Sequence, residues 1–394
     1  MTPTRRKAVY FTLEGLNALA CAYYFNYLFF LLRDQFHFDT RGNLLVSAMH
    51  GLIYVGSALC GGKFAQRHGC FTALRVGSAG MGLVLLGGSA FSTVAGQVLT
   101  LAGWTFMMCF TWPALEALVS EGESEERLPR TIGLYNVVWA SGAAIAYFFG
   151  GALFERLGEK SIYWLPAVVY GAIFGGASWL AKQPEASRPR PHSSAPAPHA
   201  PEPEAFRQPV SPAIFLQMAW LANPFAYIAI NTVLAVVPQL TAKLHLSTTE
   251  SGIFCSIWFF VRLGAFVLLW RWTKWHYRFR WLLAAFLALI ASFTTLLLAD
   301  QLWILVLAQI IFGLATGLIY YSSLFYSMDI GEEKGEHGGR HEAAIGAGIF
   351  AGPAVGAAAL WLAPASANAS TWAVSGLLVC GLAGLVALRL KRVK

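Results

Sequence analysis

The chain has 394 residues, 57% of them hydrophobic and 12% charged, against about 25% charged in an average soluble domain. One water-soluble core cannot hide that much apolar surface, so a soluble globular protein is excluded. The formal net charge of +8 would suit nucleic acid as a partner, and the placement of the charges decides against it below.

Apolar runs of about 20 residues are long enough to cross ~30 Å of hydrocarbon as helix. They fall at approximately 8–32, 43–62, 72–92, 97–119, 131–153, 161–181, 212–240, 248–270, 281–299, 301–328, 342–363 and 370–389. Only helices satisfy their own backbone bonds in lipid, so the expected fold class is an all-α integral membrane protein with twelve transmembrane helices. An even number of spans puts both termini on one side. That side carries 22 of the 28 Lys and Arg, from Arg5, Arg6 and Lys7 through Arg271 and Lys274 to Lys394; five lie opposite and Arg262 lies inside a span. This is the positive-inside pattern, so the basic balance encodes topology, with both termini cytoplasmic in a cell inner (plasma) membrane. It leaves nucleic acid nothing to explain. The loop RWTKWHYRFR (271–280) interleaves bases with aromatics and reads as an interfacial belt on lipid headgroups.

In chain order, the first span carries Glu14, Asn17, Cys21 and Tyr24, which fall within an arc of about 80° on a helical wheel. Glu14 stands about two turns in from the cytosolic end and is placed to bind and release a proton near neutrality. Span 4 brings Trp104 and Trp112, and near its end Glu116, for which pairing with Arg75 or Arg130 is expected. Span 5 holds Asn136 and Trp139 one turn apart. Residues 183–210, rich in Pro, Ala and Ser, have too few large apolar groups to offset ordering entropy and read as a disordered tether. Six spans precede it and six follow. Asn223-Pro224 and Asn231 interrupt span 7, Trp258 precedes Arg262 by one turn in span 8, and Tyr320, Tyr321 and Tyr326 crowd span 10. Charges retained in lipid cost roughly 2.5–3.5 kcal/mol or more, so Arg262 requires a partner, either an anionic solute or a carboxylate such as Glu14.

Six, tether, six suggests duplication. GLYNVVWASGAAIAYFFGGA in span 5 and GRHEAAIGAGIFAGPAVGAA in span 11 align at one offset: Gly133 with Gly339, Gly142 with Gly348, Gly150 with Gly356. Both stretches follow a loop full of charge. Glycines three or four apart let a neighbouring helix approach closely, and Pro353 beside Gly352 permits a bend. Expected units are 1–182, the tether 183–210, and 211–394.

At these residues the chain resembles the major facilitator superfamily of secondary transporters. The loop GKFAQRHGC keeps Gly62 and Gly69 of the family's signature between spans 2 and 3, with Gln66 where the family has Asp and Cys70 where it has a base. Span 5 keeps Gly133, Gly142, Gly150 and Gly151 of the family's antiporter motif, with Ala146 and Tyr147 in place of Gly-Pro, and span 11 carries the fuller copy. The resemblance implies two six-helix pseudo-repeats in which spans 3, 6, 9 and 12 lie outermost and the other eight line a central cavity. Those four spans contain no charge away from their ends.

The expected function is movement of a small organic solute by alternating access, coupled to protons. Glu14 and, behind it, Glu342 are the proton-site candidates. Asn17, Tyr24, Trp104, Trp112, Asn136, Trp139, Asn223, Asn231, Trp258, Arg262, Tyr320 and Tyr321 are candidates for the substrate wall, which suits a solute with an apolar or ring face and a few polar groups. Expected partners are that solute, membrane lipids and protons, for a monomeric protein. The six cysteines form no CxxC pair, so neither a metal nor a disulfide framework is indicated, and no cofactor is expected. The alternatives are a transporter-like sensor or scaffold, and a membrane-embedded enzyme using His341 and Glu342. No nucleophile elbow, HExxH or P-loop supports the latter.

Overall fold

The computed structural model describes residues 3–124, 127–183, 211–330 and 334–390. The proposed tether beyond Gln183 and the surroundings of Gly339, Arg340 and His341 lie outside the described residues. Every element described is a helix: α1 Pro3–Phe36, α2 Thr40–His68, α3 Cys70–Gly88, α4 Val94–Met108, α5 Trp112–Ser120, α6 Leu128–Leu157, α7 Ser161–Ala181, α8 Pro212–Lys243, α9 Thr248–Arg271, α10 Phe279–Leu298, α11 Leu302–Ile330, α12 Lys334–Leu362 and α13 Ala369–Leu390. They make twelve segments long and apolar enough to cross a membrane.

The thirteenth helix arises because the fourth span is broken. Expected as one run over 97–119, it divides at Cys109–Thr111 into α4 and α5, with Pro113 in the first turn of α5. Proline has no N–H to offer the carbonyl four residues back, so the Cys109 carbonyl is released. Gly61 of α2 packs against that carbonyl; a methyl on Gly61 would sit 2.1 Å from its oxygen. α5, which carries Glu116, packs against α1 and α6. By contrast α8 runs unbroken through Pro224 and Pro238.

The turns match local chemistry. Gly69 ends α2 and begins α3 at φ +86°, a conformation that suits glycine, and its N–H bonds the Ala65 carbonyl at 2.9 Å. His37 and His245 both adopt left-handed φ, 54° and 55°. Each is followed two residues later by an N-cap, Asp39 for α2 and Ser247 for α9. FHFDT and LHLST are thus the same turn at the same place in each set of six spans.

Burial separates the spans into two classes. In the apolar windows of α3, α7, α10 and α13, 28 to 39% of residues are buried, against 44 to 72% in the other eight spans. These are the four spans expected outermost. Along the seams glycines bring backbones together. A methyl on Gly142 would lie 2.6 Å from the Gly15 carbonyl oxygen of α1, and one on Gly348 2.3 Å from the Pro224 carbonyl oxygen of α8. The two glycines, equivalent in sequence, pack against the first helix of their respective six.

The first and last six spans meet through α2 on α12 and α6 on α9. Several polar contacts between them gather at the end of the bundle away from the N-terminus. Arg33 Nη1 donates to the Pro238 carbonyl at 2.6 Å, Gln239 Nε2 to the Phe38 carbonyl at 2.9 Å, and Thr249 Oγ1 to Glu155 at 2.5 Å.

Gly348→Leu is expected to lower stability by at least about 1–3 kcal/mol, the usual cost of overpacking, seen as a lower Tm and loss of monodispersity in detergent. Gly56→Ala, where the new methyl meets nothing within 4 Å, should leave Tm unchanged.

Candidate functional site

Arg262 lies in the middle third of α9 and is 5% exposed. Aromatic rings from three helices enclose it. Its guanidinium carbon stands 5.0 Å from the Trp139 ring centroid (α6), 5.1 Å from that of Tyr320 (α11) and 5.5 Å from that of Phe266, one turn along α9. The rings also pack on one another at 5.4 to 5.7 Å, and the phenol of Tyr227 on α8 faces the guanidinium. Cation–π contacts of this kind contribute up to about 2 kcal/mol each when desolvated.

Ring faces offer no acceptor to N–H groups lying in the guanidinium plane. Nε and Nη2 of Arg262 have no hydrogen-bond partner, and the residue forms no ion pair among the described residues. Trp139 is turned by its own bond, Nε1 donating to Asn136 Oδ1 at 3.0 Å. That bond orients the Asn136 amide and leaves its Nδ2 buried without an acceptor. A narrow cleft between α6 and α11, lined by Pro129, Ile132, Asn136, Tyr321, Leu324 and Phe325, approaches this cluster from the N-terminal end of α6.

Glu14 is fully buried among α1, α5 and α6, and neither oxygen of its carboxyl has a hydrogen-bond partner among the described residues. The Tyr135 phenol and the Glu116 carboxyl face it. Glu116 also faces Tyr320, so the acidic neighbourhood of α1 reaches the aromatic shell of Arg262. Glu342, at the start of the apolar part of α12, accepts a hydrogen bond from Tyr54 of α2. That bond joins the two sets of six spans. Tyr54 in turn packs edge-on against His50 at 6.0 Å, and His50 Nδ1 bonds Thr105 Oγ1 at 2.8 Å.

Of the residues expected in a substrate wall, the fold brings together Asn136, Trp139, Arg262, Tyr320 and Tyr321. A second group forms a separate knot within the first six spans. Tyr24 lies edge-on to Trp104 at 4.8 Å, Trp104 Nε1 donates to the Tyr170 hydroxyl at 3.2 Å, and Cys21, near Asn17, contacts the same hydroxyl at 3.3 Å. Trp112 is half-buried at the start of α5. Trp258 packs against Phe259 and Phe312, with centroids at 3.8 and 5.4 Å. Asn223 is buried beside Pro224, and Asn231 Nδ2 bonds the Tyr227 carbonyl at 3.1 Å.

Tyr54, Tyr135, Tyr227 and Phe266 belong to these clusters and were not singled out from the sequence. Two of them carried a signal. His50, Tyr54 and Ser57 recur on one face of span 2 at helical spacing, and Phe266 follows Arg262 by four residues. Tyr135 and Tyr227 become identifiable only when α6 and α8 are placed beside α1 and α9.

The fold has relatives among solved structures. The nucleoside transporter NupG superposes with a TM-score of 0.73 at 14% identity, over 98% of this chain and 99% of that one. A mutant of the peptide transporter POT in complex with alafosfalin gives 0.72 at 14% identity, over 97% and 93%. The human organic anion transporter MFSD10 (TETRAN) gives 0.69 at 16% identity, over 98% and 100%. At these identities the likeness is one of fold. No curated protein matches by sequence. The profile of the Major Facilitator Superfamily matches residues 10–353, nearly the whole helical bundle, and the chain belongs to that superfamily.

Proposed function

We propose that this protein is a secondary active transporter of a small organic solute, driven by protons and working by alternating access, with both termini in the cytoplasm. The observation that carries the reading is a pair of buried ionisable groups, Glu14 and Arg262, that have no ion-pair partner among the described residues and whose neighbourhoods meet through Glu116 and Tyr320. A fixed internal salt bridge would hold both partners together. Here each group stands without one among the described residues, which is the arrangement expected of sites filled by transient ligands: a proton at Glu14 and a solute group or coupling charge at Arg262.

In this reading Glu342 is the second proton site, coupled to the contact between α2 and α12 through Tyr54. The helices before and after the tether act as two units that rock about the glycine seams. Polar contacts between Arg33 and Pro238, Gln239 and Phe38, and Thr249 and Glu155 hold the end away from the N-terminus closed. In this reading the narrow cleft beside Asn136 and Tyr321 marks the end that faces the cytoplasm, where contacts from Tyr54 to Glu342 and from Trp270 to Gly133 also cross between the two sets of spans. The positive-inside charge pattern supports that orientation.

In proteoliposomes screened with labelled organic acids, sugars and nucleosides, an imposed pH gradient should drive accumulation of one solute class. Glu14→Gln should reduce gradient-driven accumulation at least tenfold while sparing exchange of that solute between the two sides. Uptake indifferent to the gradient and to Glu14→Gln would remove proton coupling. Binding with no flux under any gradient would identify a sensor. A C-terminal green fluorescent fusion should be bright and a C-terminal alkaline phosphatase fusion inactive; the reverse result would invert the topology.

A further inference from the structure

The atoms that Arg262 leaves free define its ligand more closely than its charge alone. A guanidinium has two ways to hold a carboxylate with two parallel bonds: end-on through both Nη atoms, or side-on through Nε and one Nη. The two nitrogens that lack a partner are Nε and Nη2, the pair that makes the side-on fork. Trp139, Tyr320 and Phe266 stand against the guanidinium, and flat rings there restrict its rotation. A third buried donor, Asn136 Nδ2, stands free beside Trp139 because the indole N–H occupies the amide oxygen. Three buried donors without hydrogen-bond acceptors among the described residues each carry the desolvation cost of an unmade bond, roughly 1–3 kcal/mol and more for the charged group. Only a ligand that brings acceptors recovers it.

The surroundings decide which acceptor. A phosphate or dicarboxylate dianion calls for more than one cation, and Arg262 is the one cation in this shell among the described residues. Glu116 and Glu342 face the ring of Tyr320 from the same region, so the neighbouring ionisable groups there are acids and supply no second cation. A monocarboxylate matches both the fork and the single charge of Arg262. The rest of the ligand meets Trp139, Tyr320 and Tyr227, whose faces and edges favour a ring over a flexible chain.

We propose that the solute site takes an aromatic monocarboxylate, its carboxylate held side-on by Arg262 Nε and Nη2, with Asn136 Nδ2 as a further donor and its ring lodged against Trp139 and Tyr320. The assignment rests on the reading of this cluster as the solute site, but it concerns binding and can be tested without flux.

The test is thermal stabilisation of the purified full-length protein in detergent by benzoate, benzamide, phthalate and hexanoate. Benzoate should raise Tm saturably. Benzamide, which lacks the second acceptor and the charge, and phthalate, a dianion, should bind at least tenfold more weakly, as should hexanoate, which lacks the ring. Arg262→Lys keeps the charge but not the fork and should weaken benzoate binding at least tenfold. Asn136→Ala, a smaller change in the same shell, should weaken it about threefold to tenfold while leaving the unliganded Tm within a few degrees of the parent. Trp139→Leu should erase the preference for benzoate over hexanoate. Stabilisation by benzamide equal to that by benzoate, absence of any benzoate effect in the parent protein, or benzoate binding undiminished in both Arg262→Lys and Asn136→Ala would overturn the assignment. If gradient-driven flux of a neutral solute is found while benzoate fails to bind, the ligand class falls and the transporter reading stands. If benzoate binds as described and no flux is found, the reverse holds.

Discussion

A permanent positive charge held deep in a bundle of apolar helices is the constraint on which the rest of the site depends. Arg262 cannot discard its proton, and burying it unpaired costs several kcal/mol even after relaxation. The fold offsets part of that cost with aromatic faces from α6, α9 and α11. Those rings come from both sets of six spans, Trp139 from the first and Tyr320 and Phe266 from the second, and glycines of α6 bring it close to α9. Gly133 lets Trp270 lie against its backbone, and Gly151 lets Thr248 do so, so α6 rests on α9 above and below the guanidinium. Packing here serves to hold one charge in place.

The acidic groups complement this arrangement from the other side of the seam. Glu14 and Glu116 come from α1 and α5, and Glu342 from α12, and all three bear on a connected set of phenols: Tyr135, Tyr320 and Tyr227. Phenols can pass the influence of one ionisable group to the next by reorienting a hydroxyl, without themselves ionising. Glu116 joins the set from α5, the segment beyond the break in the fourth span. In the proposed cycle this network would give proton binding and solute binding a shared set of side chains to act on, and coupling between them would be a matter of local electrostatics.

Much of this was legible in the sequence. Twelve spans follow from apolar length, and the four outermost ones from the resemblance to the superfamily, which their lack of internal charge matches. Gly142 and Gly348 aligned before their common role, backing onto the first helix of each six, could be seen. Arg262, Trp139, Tyr320 and Asn136 were identifiable because polar or aromatic groups at helical spacing stand out against Leu and Val. What the sequence could not separate was the direction in which a polar stripe points. Tyr24 and Trp104 satisfy the same spacing rules as Trp139, yet they pair within the first six spans around Tyr170. Helical periodicity locates a face but not the helix it meets. The turn FHFDT and its twin LHLST went unnoticed for a different reason: a histidine in left-handed conformation leaves little compositional trace.

The central claim is that the two sets of spans rock, closing one end of the bundle as the other opens. Pulsed EPR distances between spin labels at Asp34 and Lys243, and separately at Arg67 and Arg271, test it without knowledge of the solute. These four positions are exposed at opposite ends of the bundle. The account predicts two populations at each pair, with the Asp34–Lys243 distance lengthening as the Arg67–Arg271 distance shortens when pH is changed. A single distance at both pairs, unmoved by pH, would contradict it.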